Sequence, residues 1–458
     1  MCIQDHLQVA TMKMNNKGFN QKPRGICHQN LFSNSKLVAT IFIIIFFLIL
    51  DAWMDLFVIG KSRIQMMTPS ISSTTNTIIE IPLNCNNTAQ TCPLNYPSRF
   101  EPEISSSETC PDYFRWIQQD LKIWQETGIT RETLERAKPH AHFRLVIKSG
   151  RLYVHQYTKC YQTRDVFTIW GMVQLLRMYP GQVPDLELLF LCHDQPGIWK
   201  KDFRQEDNAT WLPPPLFHYC SHRDAYDIVF PDWSFWGWPE DWDKEKELGF
   251  KSSNLEDQCT HRYKIYIEGR AWSVSKKYIL ACDSMALLIK PEFYDFFARS
   301  MVPLEHYWPI RSQENCGDLK FAVEWGNNNT DKAQAIGRQG SDYMTKSLKM
   351  KYVYDYMLYV LQGYGKLMKL DVTVPENATE VCSETMVCPT TDGGLIRQCM
   401  DDSLVMSPSV KAACDLPQPY GDDELKRFLE KQESAEREVE KWTDEYLNVQ
   451  DTFLQQRK

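Results

Sequence analysis

A chain of 458 residues has room for two or three globular units at roughly 150 residues each, and so for a large core. With 24% charged and 43% hydrophobic residues it is neither disordered nor collagen-like, and 51 Lys and Arg against 59 Asp and Glu leave a net charge of -8, a poor match for polyanions. Residues 1–36 carry five bases (Lys13, Lys17, Lys22, Arg24, Lys36) and one acid (Asp5), so basic character is confined to an N-terminal tail and nucleic-acid recognition is set aside.

Leu37 to Leu50 is an unbroken apolar run, and continued past Asp51 through Met54 and Phe57 it reaches the ~20 residues that a bilayer-spanning helix needs. Residues 37–59 therefore read as a transmembrane signal anchor. A cleaved secretory signal fits less well, because no small-residue cleavage site follows Leu50. Basic residues before the span keep that side cytosolic, which gives a single-pass type II protein with everything beyond the span in the lumen. Sequons at Asn86, Asn208, Asn328 and Asn377 all follow the span. So do thirteen of the fifteen cysteines, scattered without a C-x-x-C pair, which suits disulfides better than zinc. Thirteen is odd, so at least one stays unpaired or pairs between chains.

Residues 60–109 are rich in Ser, Thr, Asn and Pro without hydrophobic periodicity and read as a lumenal stem. A folded domain begins at Cys110. Tyr113, Phe114, Ile117, Leu121 and Trp124 stand at helical spacing, and Phe143 to Ile147, Ser149-Gly150 and Leu152 to Tyr157 spell a hairpin. Val166 to Leu176 predicts a helix ending near Pro180-Gly181, and Leu186 to Leu191 a buried strand. A second unit reads as strand Lys264 to Ile267, turn Glu268-Gly269, a helix from an N-cap at Ser273 to about Cys282, and strand Met285 to Ile289. Helical patterns follow at Asp318 to Trp325, Asp331 to Arg338 and Lys349 to Tyr364. Strands alternating with helices imply an α/β fold with a largely parallel sheet. Residues 421–458 form an amphipathic helix that either packs back onto the domain or pairs with a second copy as a dimer.

Phosphate-loop, zincin and nucleophile-elbow signatures are absent from the sequence. Open α/β sheets hold ligands beyond the carboxyl ends of their strands, and the loop after Leu186 to Leu191 is Cys192-His193-Asp194-Gln195-Pro196-Gly197. Asp194 either serves there as a general base toward a hydroxyl or caps a turn before Pro196. In the second unit Gly269 permits close backbone approach, a helix start at Ser273 offers amides to a diphosphate, and Arg270 and Lys277 add charge-assisted contacts. Trp233, Phe235, Trp236 and Trp238 crowd around Gly237, either as a stacking surface for a sugar or nucleobase or as a buried aromatic cluster. Asp241-Trp242-Asp243 has the spacing of a divalent-metal site but heads a charged stretch, so no metal is expected.

Taken together, CPDYFRWIQQDLKIWQ, QTRDVFTIWGMVQLLRMYPG, PDLELLFLCHDQP, DIVFPDWSFWGW and QCTHRYKIYIEGRAWSVSKKYILACDSMALLI resemble the plant branch of the Rumi-type O-glucosyltransferases, a capsule-synthesis-like family, over about Cys110 to Leu370. The resemblance implies a GT-B-like, two-lobed, Rossmann-type glycosyltransferase. Its N-terminal lobe falls at 110–215, its nucleotide-sugar lobe at 216–370 and a Cys-containing extension at 371–420. It implies no metal or other cofactor, UDP-glucose or UDP-xylose as donor, and inversion at the anomeric carbon. By the same resemblance Asp194 is the base, and Arg270, Ala271, Trp272, Ser273, Val274 and Ser275 bind the nucleotide sugar. Trp233 to Trp238, Trp236 and Gly237 among them, line donor and acceptor, while Gln162, Thr163 and Arg164 fall among acceptor contacts. One departure stands out. Between Pro239 and Asp241 relatives carry several tens of further residues, with an aromatic-rich strand, a Gly-Asn-Pro phosphate loop and an Arg-bearing helix. The expectation is an O-glycosyltransferase of the Golgi or endoplasmic-reticulum membrane that acts on a protein or cell-wall glycan, or else a lumenal pseudoenzyme that binds glycans or partner transferases.

Overall fold

The computed structural model describes residues 79–85, 91–93, 99–203, 212–237, 257–312, 315–390 and 394–455. The apolar spacing from Tyr113 to Trp124 yields a short helix, Trp116–Leu121 (α1), continued at both ends by tighter turns over Asp112–Arg115 and Lys122–Trp124. Phe143–Lys148 (β1) and Arg151–Gln156 (β2) form the expected hairpin. Its two-residue turn holds Ser149 at φ 51° and Gly150 at φ 75°, the twist that lets antiparallel strands close tightly. Helix Arg164–Met178 (α2) and the fully buried strand Leu186–Phe190 (β3) follow as the pattern predicts.

Three two-residue strands come next: Phe217–His218 (β4), Ser221–His222 (β5) and Ile228–Val229 (β6). β4 and β6 extend the first sheet in parallel beyond β3, so that sheet continues past residue 215, the expected lobe boundary. Tyr263–Tyr266 (β7), Ser275–Leu280 (α3) and Met285–Ile289 (β8) form the expected βαβ unit, with β7 and β8 parallel. Phe293–Tyr294 (β9) pairs with β5 and ties the second unit to the first. Trp308–Ile310 (β10) adds in parallel to β8, which leaves β7 at the edge of this three-stranded sheet. Helices Asn315–Asn328 (α4), Thr330–Ser347 (α5) and Met350–Leu367 (α6) run longer than their sequence windows. α5 crosses β8 so closely that a Cβ at Gly337 would stand 2.7 Å from the Ser284 carbonyl carbon. Thr379–Val381 (β11) closes on β2 and completes the order β11-β2-β1-β3-β4-β6. The protein is thus mixed α/β, with one wholly parallel sheet and one that its hairpin makes mixed.

One expectation changes. The stem is not free along its whole length: Ile81 is buried, its carbonyl accepts from Arg177, and three disulfides, Cys85–Cys388, Cys92–Cys382 and Cys110–Cys414, staple this segment to the C-terminal extension. The C-terminal helix, Asp422–Gln455 (α7), packs apolar residues back onto its own chain, the first of the two alternatives. Phe428 meets Trp116 and Tyr420, Val439 is buried, and Trp442 stacks on Trp325 with ring centroids 6.3 Å apart. Residues 1–78, with the tail 1–36 and the span 37–59, lie outside the described residues. Among the described residues no helix is long and apolar enough to cross a membrane.

Candidate active site

Residues 191–197 leave the carboxyl end of β3 and line an open cleft. Lys159, Tyr161, Gln162 and Arg164 join them from the approach to α2, and Arg270 joins from the loop after β7. Asp194 keeps 41% of its side chain open to this cleft, and its Oδ1 accepts from Arg164 Nη1 at 3.0 Å. The guanidinium of Arg164 is nearly buried, lies 4.5 Å from the Trp233 ring centroid, and also donates to the Cys192 carbonyl at 2.8 Å. The chain reaches Arg164 through Gln162 and Thr163, at φ 59° and 53°. Two consecutive left-handed residues without glycine are a costly conformation of the kind that gathers at functional sites.

The wall beneath the cleft shifts its ionisable groups by burial. His142 is held below the usual imidazole range by desolvation and by the neighbouring His193 ring, 4.6 Å away. Burial lowers His218 to about 4 and raises Asp227 to about 6, even though Asp227 accepts from the amides of Gly197 and Ile198. His142, Cys160 and Cys192 stand close enough to suggest a metal, but the two sulfurs are joined in the Cys160–Cys192 disulfide and offer no thiolate.

On the facing side, Gln195 Nε2 donates to the Arg270 carbonyl at 3.1 Å, so the loops that carry Asp194 and Arg270 touch. Beyond Arg270 the expected donor site is corrected. α3 begins at Ser275 and spans six residues rather than running from Ser273 to Cys282. The Ser273 amide donates to Tyr266 Oη at 3.0 Å and the Ser275 amide to Ser273 Oγ at 3.3 Å, so the N–H groups expected to meet a diphosphate are spent within the chain. Ala271, Trp272 and Val274 are buried. Gly269 is exposed, and a Cβ there would meet nothing within 4 Å, so no close approach requires a glycine. Lys277 is buried with its Nζ 3.1 Å from Asp232 and 2.8 Å from Ser234 Oγ, a closed ion pair rather than a phosphate ligand. Trp236 is buried against Gly171 and donates to Tyr354 Oη at 2.9 Å, while Gly237 packs on Phe167. Trp236 belongs to the core, because large rings gain most by leaving water, and Gly237 is half-buried beside it. Trp238 and Asp241-Trp242-Asp243 lie outside the described residues.

The model of Glycosyl transferase family 90 matches residues 105–241 and 239–443, most of the chain. The chain belongs to glycosyl transferase family 90. It is 23% identical over 354 residues to the O-glucosyltransferase rumi homolog of Aedes aegypti, covering 61% of this chain and 84% of that protein. Identity is 20% over 351 residues to O-glucosyltransferase rumi of Drosophila melanogaster, covering 60% and 81%. To Protein O-glucosyltransferase 1 of Homo sapiens it is 22% over 349 residues, covering 59% and 84%. This family-90 chain is thus of the Rumi O-glucosyltransferase type, and its mixed α/β build with a parallel sheet fits a glycosyltransferase fold.

The family match breaks at 239–241, where the lost block is expected. The alignment with the mosquito relative occupies 354 positions but only 61% of these 458 residues, about 279, so about 75 positions are filled in the relative alone. The break precedes β7, the edge of the parallel sheet. Lys264 on that strand is buried, its Nζ has no hydrogen-bond partner among the described residues, and desolvation lowers its pKa.

Proposed function

We propose that this family-90 chain moves glucose or xylose from UDP to a hydroxyl of a protein or cell-wall glycan, with inversion, as a plant-branch enzyme anchored type II in the Golgi or endoplasmic-reticulum membrane. The observation that carries the reading is Asp194, an accessible carboxylate at a strand's carboxyl end, sharing one cleft with the exposed Arg270. Asp194 takes the proton of the acceptor hydroxyl, the freed oxygen forms a bond to the anomeric carbon, and the bond to UDP breaks on the opposite face. One displacement inverts the centre and needs no sugar-enzyme intermediate. Arg164 orients the carboxylate, and Arg270 supplies positive charge beside the leaving diphosphate in place of the spent amides at Ser273 and Ser275. The five described disulfides support an oxidising compartment, and the sequon asparagines Asn328 and Asn377 are exposed.

A second reading, a lumenal pseudoenzyme, is favoured by one observation: about 75 aligned positions of the mosquito relative have no counterpart in this chain, and the family match breaks at 239–241, ahead of β7. Titration of the purified full chain with UDP, UDP-glucose and UDP-xylose separates the two. The transferase reading expects saturable binding below ~1 mM, in the range of ordinary enzyme–substrate affinities, and release of UDP from one of the two sugars. Absence of UDP binding at millimolar concentration would establish the pseudoenzyme.

A further inference from the structure

The loop that carries Asp194 is held from behind at three consecutive carbonyls. Arg164 Nη1 donates to Cys192 O at 2.8 Å, His218 Nε2 to His193 O at 2.8 Å, and Cys220 Sγ to Asp194 O at 3.3 Å. All three donors are buried, His218 and Cys220 completely. They come from separate parts of the first sheet's layer: Arg164 opens α2, whereas His218 ends β4 and Cys220 follows it. Neither His218 nor Cys220 lines the cleft, so neither can touch a substrate there.

The His218 ring stands between two carbonyls, with Nδ1 2.6 Å from Cys220 O and 3.2 Å from the Cys220 amide, and Nε2 2.8 Å from His193 O. A neutral ring donates to one of them, and the clamp takes the tautomer with the proton on Nε2, in which Nδ1 accepts from the Cys220 amide. Burial pushes the Cys220 thiol well up, so it stays protonated, a donor rather than a nucleophile, in a chain whose other described sulfurs mostly form disulfides. Past Asp194 the amides of Gly197 and Ile198 are taken by Asp227 at 2.8 and 3.0 Å, so the loop is pinned at both ends.

We propose that Arg164, His218 and Cys220 are positioning residues, a three-point carbonyl clamp that fixes the backbone at 192–194 so that the Asp194 carboxylate meets an acceptor in one orientation. The inference rests on Asp194 being the base. A general base must be held to within about 0.5 Å of its productive place. Hydrogen bonds to the loop's own carbonyls set the path of the backbone and leave the carboxylate's second oxygen to the reaction. The clamp also explains the free thiol: oxidation or pairing of Cys220 would remove the donor to Asp194 O.

The test compares Cys220→Val, which removes the S–H at similar volume, with Cys220→Ser, which keeps a donor. Backbone hydrogen exchange over residues 191–198 and UDP-release kinetics are measured on the full chain. Cys220→Val is expected to speed exchange in that segment about tenfold and to lower kcat about tenfold with the donor KM within about twofold, while Cys220→Ser restores both. Exchange in Cys220→Val within about twofold of wild type overturns the clamp, and this readout needs no turnover. If Cys220→Val does not fold, Arg164→Lys, which loses the forked contact to Cys192 O and Asp194, is read by the same exchange. If the exchange result holds but Asp194→Asn releases UDP as fast as wild type, the base assignment fails and the clamp remains only a backbone device.

Discussion

Asp227 and His218 both hydrogen-bond to the loop that carries Asp194, at Gly197 and Ile198 and at His193, and burial shifts them in opposite senses. Between pH 4 and about 6 the folded protein keeps a proton on Asp227 that the unfolded chain releases, so this group's stabilisation is present at low pH and lost as pH rises toward 6. His218 does the reverse: below the ordinary imidazole pKa the unfolded chain takes up a proton that the buried ring refuses down to about 4, so stability rises with pH over the same range. Each shift is worth ~3 kcal/mol with opposite sign, and the two largely offset. In Asp227→Asn the His218 contribution stands alone. The difference in urea-unfolding free energy between variant and wild type should therefore move in the variant's favour by ~3 kcal/mol from pH 4 to 6.5. A difference that does not change with pH contradicts these environments. Residues of this kind were hidden from sequence reasoning. Asp194 is legible because it follows an apolar strand at its carboxyl end, a position that carries chemistry in open sheets. Nothing in PDWSFWG or SVSKKYI distinguishes the buried Asp232–Lys277 pair from a solvated phosphate ligand, since burial of a charge depends on a partner forty-five residues away.

At the scale of elements, the regular patterns translate well. The hairpin, the β7–α3–β8 unit and helices α2, α5 and α6 stand where periodicity places them, because each buries a face whose spacing is written locally. What periodicity could not convey is the destination of a face. The apolar stripe of α7 serves a coiled coil or a fold-back equally well, and the choice is made by aromatic partners far away in sequence: Trp308 and Trp325 meet Trp442, and Phe321 meets Tyr446. Trp442→Ala should cost ~2–3 kcal/mol in urea unfolding, below the range for a fully buried Trp because the ring is half-buried. The wild-type chain should sediment as a monomer over micromolar concentrations. A concentration-dependent dimer abolished by Trp442→Ala would restore the coiled-coil alternative. The short α3 shows the opposite limit: Ser273 looks like an N-cap, yet its amide bonds Tyr266 and the helix starts two residues later.

At the scale of the molecule, three disulfides with sequence separations of 303, 290 and 304 join the segment from 85 to 110 to the one from 382 to 414. Scattered cysteines announce such a framework without giving its pairing. The six-stranded sheet delivers Asp194 to the cleft, whereas the parallel sheet, with β7 at its edge among the described residues, delivers Arg270. The most direct measurement compares initial UDP release by wild type and Asp194→Asn on the donor sugar that binds. The account predicts a loss of about 10²–10⁴-fold in kcat with UDP affinity retained; rates within about twofold of each other would contradict it.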